Sequence, residues 1–114
     1  MISSNLIAGV TVDKLIRVWD INTGEEVKLI VTSHTDTIFT IIKLNNNQVA
    51  TGSLDSTIKI WNISDWTNTK TLTGHTGTVY ILLKLNENEI ASGSLDKTIK
   101  IWNLTTGLEN LLKL

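Results

Sequence analysis

Two histidines, His34 and His75, stand 41 residues apart, and the same offset separates Asp55 from Asp96 and the hydroxyl residue Thr51 from Ser92. Hydroxyl, imidazole and carboxylate are the parts of a nucleophilic triad, in which the imidazole takes the hydroxyl proton and the carboxylate holds the imidazole. A working triad also needs an exposed nucleophile and donors aimed at the oxyanion. The recurrence of the set in register argues for structure, because successive repeats duplicate packing units rather than active sites. No catalytic residue is therefore expected. Zinc sites show short local pairs such as His-x3-His or Cys-x2-Cys. His34 and His75 are too far apart for that, and the chain has no cysteine, so no metal is expected. No Gly-x-Gly-x-x-Gly or Walker loop occurs to cradle a phosphate, so no cofactor is expected either.

The chain of 114 residues is the size of one domain, with 10 Lys and Arg against 11 Asp and Glu and a net charge of -1. Nucleic-acid affinity comes largely from clustered cations that neutralise phosphates, so this balance argues against a nucleic-acid partner. Arg17, Lys59 and Lys100 recur at one place and could form a basic stripe; the plainer expectation is that they solvate and blunt an outer strand. Met1–Val10 has no basic segment followed by an apolar core, so no signal peptide is expected. No apolar run reaches the roughly 18 residues of a spanning helix, and no membrane partner is expected. The absence of cysteine suits the reducing cytoplasm, and the nucleus equally.

The elements that must carry these residues follow from the repeat. Gln48–Asn62 (QVATGSLDSTIKIWN) recurs as Glu89–Asn103 (EIASGSLDKTIKIWN), and a more worn copy runs from Leu6 to Asp20 (LIAGVTVDKLIRVWD). Trp19, Trp61 and Trp102 are 42 and 41 residues apart, a spacing that fits propeller blades of four strands. Each unit is rich in Ile, Val, Thr and Trp, and turn residues punctuate it. The expected strands are 37–44, 48–54, 57–63 and 69–74, then 78–85, 89–95, 98–104 and 109–114. The first of each set is apolar on alternating faces and is expected to be buried on both. The second is small and Gly/Ser-bearing, allowing neighbouring backbones to approach. Ile58, Ile60 and Ile63 make no helical stripe, so the fold class is all-β.

Gly74-His75, then Asp96 and Trp102-Asn103, resemble the Gly-His … Trp-Asp signature of the WD-repeat family, with a second copy in register at His34, Asp55 and Trp61-Asn62. The literal Trp-Asp pair survives at Trp19-Asp20. The resemblance implies a partial β-propeller of antiparallel four-stranded blades: two complete blades (34–74 and 75–114) and one lacking its innermost strand (1–33). It also implies a hydrogen-bond chain in each blade, from Trp to hydroxyl to His to Asp. One set is His34, Thr51, Asp55 and Trp61; the other is His75, Ser92, Asp96 and Trp102. In the first unit Gly9 replaces the hydroxyl residue and no His is available, so that chain cannot close.

Propellers usually close with roughly 4–8 blades, so three leave an apolar face open at each end. The expectation is a piece of a longer WD-repeat protein, with ring closure by self-association as the competing arrangement. The resemblance implies a non-catalytic scaffold for other proteins or peptides; the alternative is a regulatory or substrate-recruiting segment of a larger enzyme. The family's usual partner-binding rim would fall on the turns holding Val12, Leu54, Ser56, Leu95 and Lys97, with Thr35, Asp36, Thr76 and Gly77 beside them. Trp66 takes the hairpin position held by Gly24 and Gly107 elsewhere. It either packs on its own blade or meets a partner.

Overall fold

The computed structural model describes residues 6–10 and 13–113. Among them, eleven strands form three antiparallel meanders. Blade 1 holds β1 (Leu6–Val10), β2 (Leu15–Asp20) and β3 (Glu26–Val31). Blade 2 holds β4 (Ile38–Asn45), β5 (Gln48–Ser53), β6 (Ile58–Asn62) and β7 (Thr67–Leu72). Blade 3 holds β8 (Val79–Asn86), β9 (Glu89–Ser94), β10 (Thr98–Asn103) and β11 (Glu109–Lys113). The fold is all-β, a partial propeller of three blades with extents of 43 × 28 × 21 Å.

Local sequence dictates the turns. Asp20, Asn62 and Asn103 each accept, through side-chain Oδ1, the backbone amide two residues on, at 2.8, 3.2 and 2.9 Å. Asp and Asn supply the same acceptor in this Asx turn, which explains why Trp-Asp becomes Trp-Asn without loss of the hairpin. Asn45 and Asn86 repeat the device between first and second strands. In the hairpin that Asp20, Asn62 and Asn103 open, the left-handed position falls on Gly24 (φ 74°), Trp66 (φ 56°) and Gly107 (φ 75°).

Two apolar layers lie between blades. Ile16, Val18 and Ile30 of blade 1 pack against Ile38, Val49, Trp61 and Ile63 of blade 2. Leu44, Ala50, Ile58, Ile60 and Leu72 of blade 2 pack against Val79, Leu82, Ile90 and Trp102 of blade 3. Each complete blade thus presents its Trp to the preceding blade. At Gly52 a Cβ would lie 2.7 Å from Val79 Cγ1 and 3.2 Å from the Val79 carbonyl, so this glycine is required by close approach between blades.

The expectation that first strands are buried on both faces needs correction. Val79 and Leu82 of β8 are buried toward blade 2, but Ile81, Leu83 and Leu85 are 52, 59 and 44% exposed because no blade covers their side. The fourth strand of blade 2 begins at Thr67, two residues earlier than its pattern suggested, because the Trp66 hairpin is tight.

Candidate functional site

The chemistry-bearing residues converge at the two blade interfaces. In blade 2, Thr51 on β5 lies opposite Lys59 of β6, while Trp61 extends across the same face. The Trp61 indole Nε1–H donates to Thr51 Oγ1 at 2.9 Å. Thr51 Oγ1 is 2.6 Å from His34 Nε2, and His34 Nδ1 is 2.8 Å from Asp55 Oδ2. In blade 3 the matching distances are 2.8 Å (Trp102 to Ser92), 2.7 Å (Ser92 to His75) and 2.8 Å (His75 to Asp96). The proton directions follow from the chemistry. An ionised carboxylate only accepts, so Nδ1–H of the His donates to it; the neutral ring's Nε2 then accepts the hydroxyl proton.

Each Asp is a hub. Asp55 accepts the Thr57 hydroxyl (2.6 Å), the Thr57 amide (2.9 Å) and the Thr35 amide (3.0 Å). Asp96 accepts the equivalent groups of Thr98 and Thr76. Burial by itself would push the Asp55 carboxyl up, but the Thr57 hydroxyl, the His34 N–H and the two amides outweigh it and hold it at about 2. Asp96 likewise sits below the usual carboxylate range, burial being overcome by Thr98, His75 and the Thr76 amide. Burial pushes His34 below its ordinary value, and the Lys59 charge adds to that; the Asp55 contact opposes both.

Sequence reasoning missed Thr57, Thr98, Ser53 and Ser94. The Ser hydroxyls cap the turns, accepting the amides of Asp55 and Asp96 at 3.0 and 3.1 Å. The signal was present as Ser-x-Asp-x-Thr at 53–57 and 94–98. In blade 1, Leu15 stands in place of the Thr, and a Cβ on Gly9 would lie 3.0 Å from Trp19 Cζ3. The Trp19 ring therefore occupies the space above Gly9, and among the described residues no hydroxyl meets its indole.

The connectivity hydroxyl–His–Asp is that of a triad, but Thr51 and Ser92 are 0 and 1% exposed. Each hydroxyl oxygen already accepts an indole N–H, so a lone pair needed for attack is engaged and substrate has no approach to it. Of the basic stripe, Lys100 corrects the expectation of solvation: it is buried and pairs with Glu109 at 2.6 Å. The third strand lies inside the sheet rather than at its edge, which is why its cation needs a partner. Arg17 pairs with Glu26 at 2.9 Å, and Lys59 donates to Thr71.

At the turn rim Leu54 and Leu95 are 41 and 69% exposed, and Lys97 beside Leu95 is exposed with φ 70°. Asp36 is half-buried and accepts the Thr37 amide. Ser56 is half-buried, and the Gly77 backbone abuts Asp96; Val12 lies outside the described residues. Trp66 is half-buried and packs on the layer between blades 1 and 2.

Two stretches, residues 25–62 and 66–103, match the family model "WD domain, G-beta repeat" and together cover more than half of the chain. The chain belongs to the WD-repeat family. Each matched WD repeat runs from the fourth strand of one blade to the third strand of the next, so every repeat stitches two blades together. Among curated proteins, the chain is similar to Mitochondrial division protein 1 of Neurospora crassa, 37% identical over 59 residues, which is 52% of this chain and 9% of that protein. Among solved structures, the WD40 β-propeller domain of Doa1 superposes with a TM-score of 0.91 at 23% identity, over all of this chain and 38% of that one. U3-55K superposes with a TM-score of 0.85 at 22% identity, over 96% of this chain and 34% of that one. The WD-repeat arc thus spans well under half the length of these relatives, and the structural likeness is one of fold.

Proposed function

We propose that this WD-repeat arc is a non-catalytic protein–protein interaction scaffold that works in the cytoplasm. The carrying observation is how each Asp divides its contacts. One carboxylate oxygen holds the buried His, and that same oxygen holds the first rim amide, Thr35 or Thr76. The rim is therefore fastened directly to the interior, a rigid platform that loses little entropy on binding. On it, Leu54 and Leu95 project at equivalent places one blade apart, offering two apolar contacts flanked by Lys97 and Asp36. Such spacing suits a peptide or protein loop that places an apolar side chain over each blade. Trp66, committed largely to the interior, is a secondary contact at most.

Selection of a displayed peptide library on the immobilised chain tests this reading. Leu54→Asp and Leu95→Asp, at exposed positions, are expected to abolish capture of the selected peptides while leaving Tm within about 2 °C. Peptides that bind both variants unchanged would overturn the rim assignment.

A further inference from the structure

The outermost strands of blades 1 and 2, β3 and β7, each leave one long edge unpaired among the described residues. The two strands are chemically unlike. Blade 2 carries Thr69, Thr71 and Thr73 along this stretch, all exposed. The residues 42 positions earlier, the offset between Trp19 and Trp61, are Val27, Leu29 and Val31, which are 51, 49 and 80% exposed. Thr71 lies opposite Lys59, on the face whose Trp61 is covered by blade 1, and it is exposed all the same. A neighbouring blade therefore does not cover this part of an outermost strand. The exposure of Leu29 and its neighbours belongs to the outer circumference of the fold.

The backbone of β3 is open along the same stretch. The Thr32 N–H donates to the Lys14 carbonyl at 3.3 Å, and the alternation of an antiparallel pair then turns the Ile30 and Lys28 groups toward β2. The N–H and C=O of Leu29 and Val31 consequently point to the free edge. Edge strands are ordinarily blunted by charge, Pro or bulges. The register shift of β3 lies only at its start, and the exposed face beyond it is aliphatic. Lys28 lies on the other face, toward blade 2, and is exposed. Its counterpart Lys70 donates to the Leu104 and Thr105 carbonyls of blade 3, whereas Lys28 makes no such bond among the described residues.

We infer that β3 is a docking edge for an extended segment of a partner protein, which joins blade 1 as a further antiparallel strand. This inference is independent of the rim reading. The segment's backbone pairs with the outward groups of Leu29 and Val31, and apolar side chains at every second position lie beside Val27, Leu29 and Val31. The positions between them share the face of Lys28, where an acidic residue completes an opposite-charge cross-strand pair. A second copy of β3 matches the aliphatic face but not the charge. Its own blade-2 face offers Lys28 and the buried Ile30, and no carboxylate.

Fluorescence anisotropy tests the inference with a labelled synthetic peptide in which valine alternates with threonine and one glutamate takes a threonine place. The peptide is expected to bind the unaltered chain. Methylating its valine amides, which face β3 in this pairing, is expected to weaken binding about tenfold or more, the weight of one or two backbone hydrogen bonds. Val27→Thr, Leu29→Thr and Val31→Thr together give β3 the residues of blade 2, and are expected to weaken binding as much with unchanged circular dichroism. Leu29→Pro removes an outward N–H and no bond within the blade, and is expected to do the same. Absence of binding to the unaltered chain would overturn the inference. Binding indifferent to amide methylation would mean apolar adhesion rather than strand pairing, and binding indifferent to both sets of variants would place the peptide elsewhere; either result overturns it. A dimer of the unaltered chain that Leu29→Pro disperses would overturn it in favour of a second copy.

Discussion

The hydroxyl at position 51 or 92 does two things at once, accepting from an indole and donating to an imidazole, and this double duty sets what its loss costs. Ser92→Ala leaves the Trp102 N–H and the His75 Nε2 without partners in a buried setting. Each orphaned group costs about 1–3 kcal/mol. Thr51→Ser keeps both bonds and is expected to cost about 1 kcal/mol or less, for a lost methyl. Chemical denaturation of both variants checks the contrast. Acid should act through the same groups. His34 is held below its ordinary value, so the unfolded chain protonates first as pH falls through about 6.5, and stability present above that pH declines below it. Asp55, held at about 2, contributes stability that is complete above about pH 4 and is lost as pH falls toward 2. Tm is therefore expected to be level above pH 7, to fall gently from 6.5, and to fall more steeply below 4. A Tm unchanged between pH 7 and 4 would contradict this. The sequence supplied the residue types at a constant offset. It did not supply Thr57 and Thr98, because a Thr in a turn looks like ordinary turn chemistry until its hydroxyl is seen on the carboxylate.

At the scale of strands, the repeat made most of the fold legible, because strand-forming residues and turn formers return every forty-odd positions. Lys100 was not legible. A Lys in an alternating strand reads as solvent-facing, and its burial follows from Glu109 on the neighbouring strand, a pairing that depends on register. That register also yields a prediction. Trp102 lies opposite Glu109 and Trp19 opposite Glu26, but Trp61 lies opposite Asn68. Asn68→Glu is expected to give Lys59 the ion pair its counterparts have, raising stability by about 0.2–1 kcal/mol at low salt and less at high salt. A gain that persists undiminished in 1 M salt would show that something other than an ion pair is responsible. Gly52→Ala should act in the opposite sense, since its Cβ would meet Val79 side chain and backbone. A loss of about 1–3 kcal/mol is expected, the usual range for overpacking. The exposed face of β8 escaped the sequence because burial on both sides requires a neighbour, and a strand's pattern does not say whether one is there.

At the scale of the whole molecule, each complete blade carries a polar chain of its own that ties its entry segment, through His34 or His75, to its buried Trp beside the apolar layer shared with the preceding blade. Blade 1, with Gly9 and Leu15 in place of the hydroxyl residues, has no matching polar chain among the described residues and is expected to open first. The four tryptophans report on this directly. The Trp61 and Trp102 indoles donate to buried hydroxyls, whereas those of Trp19 and Trp66 meet no acceptor among the described residues. The decisive measurement is hydrogen exchange of the four indole N–H signals by nuclear magnetic resonance. Trp61 and Trp102 are expected to exchange at least a hundredfold more slowly than Trp19 and Trp66. Similar rates for all four would show that the polar chains do not lock the two complete blades.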